Sequence, residues 1–180
     1  MLQLLRAFSG LIPLFLIVSI LTIGVIITIS LLRKKLNGQD LNWKKLTVYY
    51  GIIVSLIGIF FVTNLSIFST TGITYPRIYN LIPVVDLYNM ITSSVTIGVP
   101  LRNILLNVCL FIPFGFLVTL TGKNSASKVI LSGTLLSCLM EILQYIVPRG
   151  RTADINDVIL NTLGTLIGYF IAKYYKKILN

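Results

Sequence analysis

Five long apolar stretches alternate along the chain with shorter segments that hold most of its charges and prolines. Each stretch is about as long as the roughly 20 residues with which a helix crosses the hydrocarbon core of a bilayer. The pattern therefore predicts an all-α fold, a polytopic membrane bundle of about five transmembrane helices. The predicted spans are about 7–32, 46–68, 101–120, 129–147 and 155–174.

The composition supports this interpretation and disfavours several other classes. Of the 180 residues, 56% are apolar and only 11% are charged, and the mean hydropathy is +0.92. Ordinary globular proteins spend about a quarter of their residues on charged side chains. A soluble domain, a disordered chain and a disulfide scaffold are therefore all disfavoured.

The chain contains no His, which excludes Ser-His-Asp triads, Cys-His pairs and His-based zinc sites. Its two cysteines, Cys109 and Cys138, each lie within apolar sequence. We interpret them as small buried hydrophobes instead of a disulfide pair or metal ligands. We expect neither a metal nor a cofactor.

The first apolar stretch is too long for the h-region of a signal peptide, and no A-x-A site follows it. We predict that it is a retained helix. Residues 1–45 would then form an accessory transmembrane helix with a basic cytoplasmic loop, and residues 46–180 a four-helix membrane domain. The loop at 70–100 could lie on the outer membrane surface or fold back into the helices.

The basic residues predict the orientation. The chain holds 15 Lys and Arg against five acids, and the bases lie at the ends of the apolar stretches, which disfavours nucleic-acid binding and follows the positive-inside rule. With the N-terminus outside, ten bases face the cytoplasm: Arg33, Lys34, Lys35, Lys44, Lys45, Lys123, Lys128, Lys173, Lys176 and Lys177. Five lie outside: Arg6, Arg77, Arg102, Arg149 and Arg151. We therefore predict an outside N-terminus and a cytoplasmic C-terminus.

The fourth span carries one polar and small-residue face. Glu141 is its only charged residue, and Gln144 follows three positions later. Gly133 and Ser137 extend the same face, at spacings of four. Because an ionisable residue inside a span costs about 2.5 kcal/mol or more, it usually faces the protein interior and has a function.

The fifth span carries a matching face. Asp154, Asp157, Asn161, Gly164 and Gly168 recur at helical spacing, so they share one side of a helix. The first three are polar candidates for ligand binding. The two glycines are predicted to let a neighbouring helix approach closely.

Polar groups from other elements are predicted to meet these two faces near the outer surface. The third span contributes Asn103 and Asn107, and the second contributes Asn64 near its end. The fourth and fifth spans are joined by a loop that holds Arg149 and Arg151. Pro113 is predicted to kink the third span, for packing or to open a cleft.

Simpler interpretations remain open for each of these residues. Asp154 and Asp157 could be the N-cap and a first-turn acid of the fifth helix. Glu141 could be a buried partner of Arg149 or Arg151. Asn107 and Asn161 could make interhelical hydrogen bonds alone.

Taken together, the polar residues resemble the VanZ-like membrane proteins, a family named for an accessory protein of glycopeptide resistance. The resemblance rests on NVCLFIPFGFLV in the third span, EILQ in the fourth and PRGRTADINDVILNTLGTLIG through the fifth, and it covers about 46–174. The segment NLIPVVD, which begins at Asn80, is similar to the family's N-L-x-P-F, with Val84 in place of Phe. The resemblance implies a membrane protein of the bacterial cell envelope, and its namesake is associated with low-level resistance to teicoplanin, an acylated glycopeptide.

Three functions are compatible with these observations. The polar cleft could bind an acylated glycopeptide or a lipid-linked cell-wall precursor, with membrane lipids as neighbours, and so contribute to teicoplanin resistance. The carboxylates could serve an envelope enzyme that acts on a lipid phosphate, through a divalent cation or through Glu141 as general acid or base. Alternatively, the cluster could only lock the bundle, with function residing in a partner protein.

Overall fold

The protein is a helical bundle with two very short strands. The computed structural model describes residues 11–37, 42–64, 78–83, 92, 98–122, 124–147 and 152–179. Its elements are α1 (Leu11–Asn37), α2 (Trp43–Thr63), β1 (Tyr79–Asn80), α3 (Gly98–Leu120), α4 (Ala126–Ile146), β2 (Ala153–Asp154) and α5 (Ile155–Leu179). The described residues are 87% helical, and five of their helices are long and apolar enough to span a membrane. The predicted all-α membrane bundle is confirmed.

The helices alternate in direction. Phe15 of α1 stacks edge-on against Phe61 of α2, with 6.5 Å between ring centroids, so α1 begins where α2 ends. Asn107 near the start of α3 contacts Asp157 near the start of α5, and these two helices run parallel. α4 runs opposite to both.

This arrangement gives the bundle two chemically different ends. At the acidic end, α2 and α4 end and α3 and α5 begin, and it holds all three described carboxylates: Glu141, Asp154 and Asp157. At the lysine end, α1, α3 and α5 end and α2 and α4 begin. Its described lysines are Lys34, Lys35, Lys44, Lys45, Lys128, Lys173, Lys176 and Lys177. That the acidic end lies outside the cell stays a prediction.

α3 and α5 approach so closely that only glycine fits at the crossing. A Cβ atom on Gly164 would overlap the carbonyl oxygen of Val108, and one on Gly168 would overlap that of Ile112. Gly115 of α3 faces the backbone of Thr165, and Gly133 of α4 faces its side chain. The four glycines therefore let α3, α4 and α5 meet around Thr165, as small residues do between membrane helices.

α5 is the central helix and α1 the peripheral one. In an 18-residue apolar stretch of α5, 50% of the residues are buried inside the protein, compared with 6% in the corresponding stretch of α1. Large apolar side chains such as Leu131, Leu135 and Ile142 point outward from α4. These outward apolar faces suit contact with lipid chains. The predicted division at residue 45 is not tested by this packing.

The burial predicted for the two cysteines is corrected by the fold. Cys109 is exposed and Cys138 is only partly buried, so neither is the fully buried hydrophobe expected; both are free thiols. A helix in a membrane bundle is apolar on the side that faces lipid as well as on the side that faces the protein. A residue within an apolar stretch is therefore not necessarily buried in the protein. Pro113 lies on an exposed face inside α3, which continues on either side of it, and the predicted kink stays a prediction.

The two strands are a feature that the hydrophobic pattern did not predict. β1 and β2 pair in parallel, with Tyr79 opposite Ala153 and Asn80 opposite Asp154. The N–H of Ala153 also donates to the carbonyl of Ile78 at 3.2 Å. Residues 78–80 of the 70–100 loop thus fold back onto β2, just before the start of α5. Most of that loop lies outside the described residues.

Candidate functional site

α4 places two polar side chains inside the acidic end. Glu141 is 8% exposed and Gln144 is 5% exposed, because both lie on the face that α4 turns toward its neighbours. The Oε2 atom of Glu141 accepts a hydrogen bond from the backbone N–H of Asp154 at 2.8 Å. The Nε2 atom of Gln144 donates to the carbonyl of Thr63 at 3.1 Å. These two side chains therefore tie the end of α4 to α5 and to α2.

Asp154 organises the entry into α5. Its Oδ1 atom accepts from the backbone N–H of Asn156 at 2.8 Å and from the Nδ2 of Asn156 at 2.9 Å. It also accepts from the Nδ2 of Asn80 at 3.1 Å. Asp154, the first residue of the predicted stripe, lies in β2, so the helical part of the stripe begins with Asp157. Its contacts match the capping interpretation, since it satisfies a free N–H at the helix start.

Asp157 joins α5 to α3. Its Oδ1 atom accepts a hydrogen bond of 2.5 Å from the Nδ2 of Asn107. Asn103, one turn earlier on α3, is exposed and points elsewhere. Of the two asparagines predicted for this helix, the structure therefore brings only Asn107 into contact with a carboxylate of the acidic end.

Asn161 and Asn64 lie deeper in the bundle and are almost completely buried. The Nδ2 of Asn161 donates to the hydroxyl of Ser137 at 2.8 Å. The Nδ2 of Asn64 donates to the carbonyl of Phe60 and to the hydroxyl of Thr63, and it contacts the sulfur of Met140. Each amide oxygen, in contrast, is buried and accepts no hydrogen bond from any described residue.

We call the resulting set the polar cluster. It consists of Asn64, Asn80, Asn107, Ser137, Glu141, Gln144, Asp154, Asn156, Asp157 and Asn161. It draws on α2, α3, α4, α5 and both strands. Its charged members, Glu141, Asp154 and Asp157, are all acids. Within the described ranges, no three His, Cys, Asp or Glu side chains are grouped to hold a metal ion.

Two predicted site residues cannot be placed. Arg149 and Arg151 lie outside the described residues. Their predicted pairing with Glu141 therefore stays a prediction, and the backbone N–H of Asp154 is one partner of Glu141.

The sequence did not single out Asn156 or Thr63. Asn156 is 6% exposed although it lies off the stripe formed by its neighbours. It is buried because the capping turn of Asp154 draws it inward. Thr63 contributes its backbone carbonyl, and a backbone group has no signature in side-chain spacing. An Asx-type D-x-N spacing at a helix start is the signal that could have identified Asn156.

A family model, described as VanZ/LLP1, matches residues 46–179, which is most of the chain. The matched region includes every member of the polar cluster and leaves α1 outside. No curated protein and no solved structure matches the chain. The resemblance noted from the sequence is thereby confirmed.

Proposed function

The chain belongs to the VanZ/LLP1 family, and on this premise we propose that it binds an amphiphile at its acidic end and contributes to teicoplanin resistance. It is a multi-pass membrane protein whose family is linked to glycopeptide resistance. The proposed ligand is an acylated glycopeptide or a lipid-linked cell-wall precursor. The proposed location is the outer leaflet of a bacterial cell membrane.

The observation that carries this proposal is the pair of unpartnered amide oxygens of Asn64 and Asn161. Leaving a buried acceptor without a donor costs about 1–3 kcal/mol, so a cluster built only for packing would be expected to satisfy both. These acceptors lie in a cluster whose charged members are all acids, and they favour a ligand that donates hydrogen bonds. Ammonium groups and peptide amides, which a glycopeptide or a peptide-bearing lipid carries, have this chemistry.

The surface around the acidic end suits an amphiphile. Tyr79 and Tyr145 pack edge to face there, with 6.0 Å between ring centroids, and both are exposed. Aromatic side chains with a polar tip favour the membrane–water boundary. Ile142 and Ile146 point outward from the same end of α4. An acyl chain could therefore lie against α4 in the bilayer while the polar group reaches the cluster.

The proposal is tested by antibiotic susceptibility in a Gram-positive host. The host expresses the wild type, Glu141→Gln or Lys128→Gln at equal membrane levels and is challenged with teicoplanin or with vancomycin, which lacks the acyl tail. Glu141→Gln keeps an oxygen that can accept from the N–H of Asp154 but removes the acidic group. Lys128→Gln is the matched control, because it removes a charge from an exposed position at the other end of α4.

We expect the wild type and Lys128→Gln to protect against teicoplanin alone, and Glu141→Gln to lose that protection. Direct binding is measured in parallel, with purified protein in detergent and teicoplanin as the probe. Equal protection by all three proteins would show that the acidic end is not the site. A wild type that neither protects nor binds teicoplanin would contradict the proposal for this ligand.

A further inference from the structure

A second polar site lies at the lysine end, about one bundle length from the polar cluster. It is a cavity of about 510 Å³ between the end of α3, the α3–α4 turn and one face of α5. This volume falls within the range of about 300–1,000 Å³ that is typical of ligand pockets. Its lining includes Thr119, Asn124, Ser125, Tyr169, Lys173 and Lys176.

The cavity has fixed walls. The Nζ atom of Lys176 donates to the carbonyls of Thr119 at 2.6 Å and Gly122 at 2.9 Å, so it binds carbonyl groups at the end of α3. The Nδ2 atom of Asn124 donates to the carbonyl of Val118 at 2.8 Å and to the hydroxyl of Thr121 at 3.0 Å. The turn and α5 are therefore held together around the cavity.

Several donors remain available at its surface. Lys173 is exposed, and its Nζ atom lies 5.8 Å from the centroid of the Tyr169 ring. Lys176 uses two N–H groups on carbonyls and keeps a third. Ser125 is the N-cap of α4, yet its side chain makes no capping hydrogen bond. Two ammonium groups and a hydroxyl thus border one cavity.

The surrounding charge has a single sign within the described residues. All three described carboxylates lie at the acidic end, so no described carboxylate lies beside Lys173 and Lys176 at the lysine end. A cavity lined by ammonium and hydroxyl donors in a positive field favours an anion with several acceptor oxygens.

We propose that this cavity binds a phosphate group. Its position at the end of membrane-spanning helices suits the phosphodiester of an anionic phospholipid headgroup, and a soluble phosphate presents the same oxygens. With the predicted orientation, the site faces the cytoplasmic leaflet, whose anionic lipids attract basic segments. The proposal does not depend on ligand binding at the acidic end.

The test is a binding titration of the purified full-length protein in uncharged detergent. The probes are dioctanoyl phosphatidylglycerol, the zwitterionic dioctanoyl phosphatidylcholine and inorganic phosphate. The variants are Lys173→Gln, the charge-preserving Lys173→Arg and the matched control Lys177→Gln, which alters an exposed lysine one turn along α5. Circular dichroism confirms that each variant is folded.

We expect phosphatidylglycerol to bind at least tenfold more tightly than phosphatidylcholine. Lys173→Gln should weaken that binding about tenfold, as loss of a charge-assisted hydrogen bond does, whereas Lys173→Arg and Lys177→Gln keep it. If inorganic phosphate binds as tightly and shows the same variant pattern, the site is supported and its source is soluble. Equal weakening by Lys173→Gln and Lys177→Gln, or no preference for either anion over phosphatidylcholine, would overturn the proposal.

Discussion

Glu141 accepts a hydrogen bond from the backbone N–H of Asp154, with 2.8 Å between Oε2 and N. The bond joins the last turns of α4 to the residue through which the chain enters α5. A buried acid that the sequence identified as a candidate ligand group thus also fixes the start of the central helix.

This relationship predicts different stabilities for two substitutions of Glu141. Glu141→Leu leaves the N–H of Asp154 without its acceptor and is expected to destabilise the protein by about 1–3 kcal/mol. Glu141→Gln retains an acceptor oxygen and is expected to cost less. Thermal unfolding of the purified proteins in detergent measures both. Equal melting temperatures for the two variants would show that the bond contributes nothing to stability.

Helical spacing was enough to predict which faces of α4 and α5 meet. Ser137, Glu141 and Gln144 are all buried, as are Asn161, Gly164 and Gly168, because residues three or four apart must share one side of a helix. The same rule failed for Asn103, since a spacing of four identifies a face of α3 but not the point at which the neighbouring helix α5 begins. Whether any of these residues binds a ligand stays a prediction.

Backbone partners could not be predicted in this way. Gln144 binds the carbonyl of Thr63, and Glu141 binds the N–H of Asp154. Every residue carries these backbone groups, so the sequence holds no sign of which one is used. The pairing of β1 with β2 could not be predicted either, because a strand of two residues is too short to show an alternating pattern.

The crossing of α3 and α5 predicts that Gly164 tolerates no side chain. A methyl group in Gly164→Ala would overlap the carbonyl oxygen of Val108, which is backbone and cannot rotate away. We expect a loss of about 1–3 kcal/mol, as for other overpacked sites. Gly24→Ala is the matched control, because a Cβ at Gly24 meets nothing within 4 Å. The two variants are compared by thermal unfolding, and a Gly164→Ala protein as stable as the control would contradict the close approach.

The hydrogen bond between Asn161 and Ser137 predicts a measurable coupling between α5 and α4. Interhelical hydrogen bonds in membrane proteins contribute on average about 0.6 kcal/mol and at most about 1.7. A double-mutant cycle with Asn161→Ala, Ser137→Ala and the double variant isolates this term. We expect a coupling near the upper value, since both side chains are buried. Strictly additive losses would indicate that the two side chains do not interact.

The parallel strand pair predicts a specific cross-link. Tyr79 and Ala153 are paired across strands, which lie about 4.8 Å apart and so within the Cα separations of about 4.4–6.8 Å that a disulfide needs. Tyr79→Cys with Ala153→Cys, in a Cys109→Ala, Cys138→Ala background, is expected to form a disulfide under mild oxidation. Leu81→Cys with Ala153→Cys is the mismatched control. Cross-linking of both pairs at one rate would indicate that no fixed register exists.

The orientation of the bundle decides whether the acidic end can meet an antibiotic. We predict that it faces outward, because ten bases against five favour a cytoplasmic lysine end. Leu81 and Lys177 are exposed at opposite ends, and each is replaced by Cys in the Cys109→Ala, Cys138→Ala background. A membrane-impermeant maleimide should label Leu81→Cys in intact cells and Lys177→Cys only after permeabilisation. The reverse pattern would place the polar cluster at the cytoplasmic face, where it could not bind an extracellular glycopeptide, and would turn the lysine-lined cavity toward the outer leaflet.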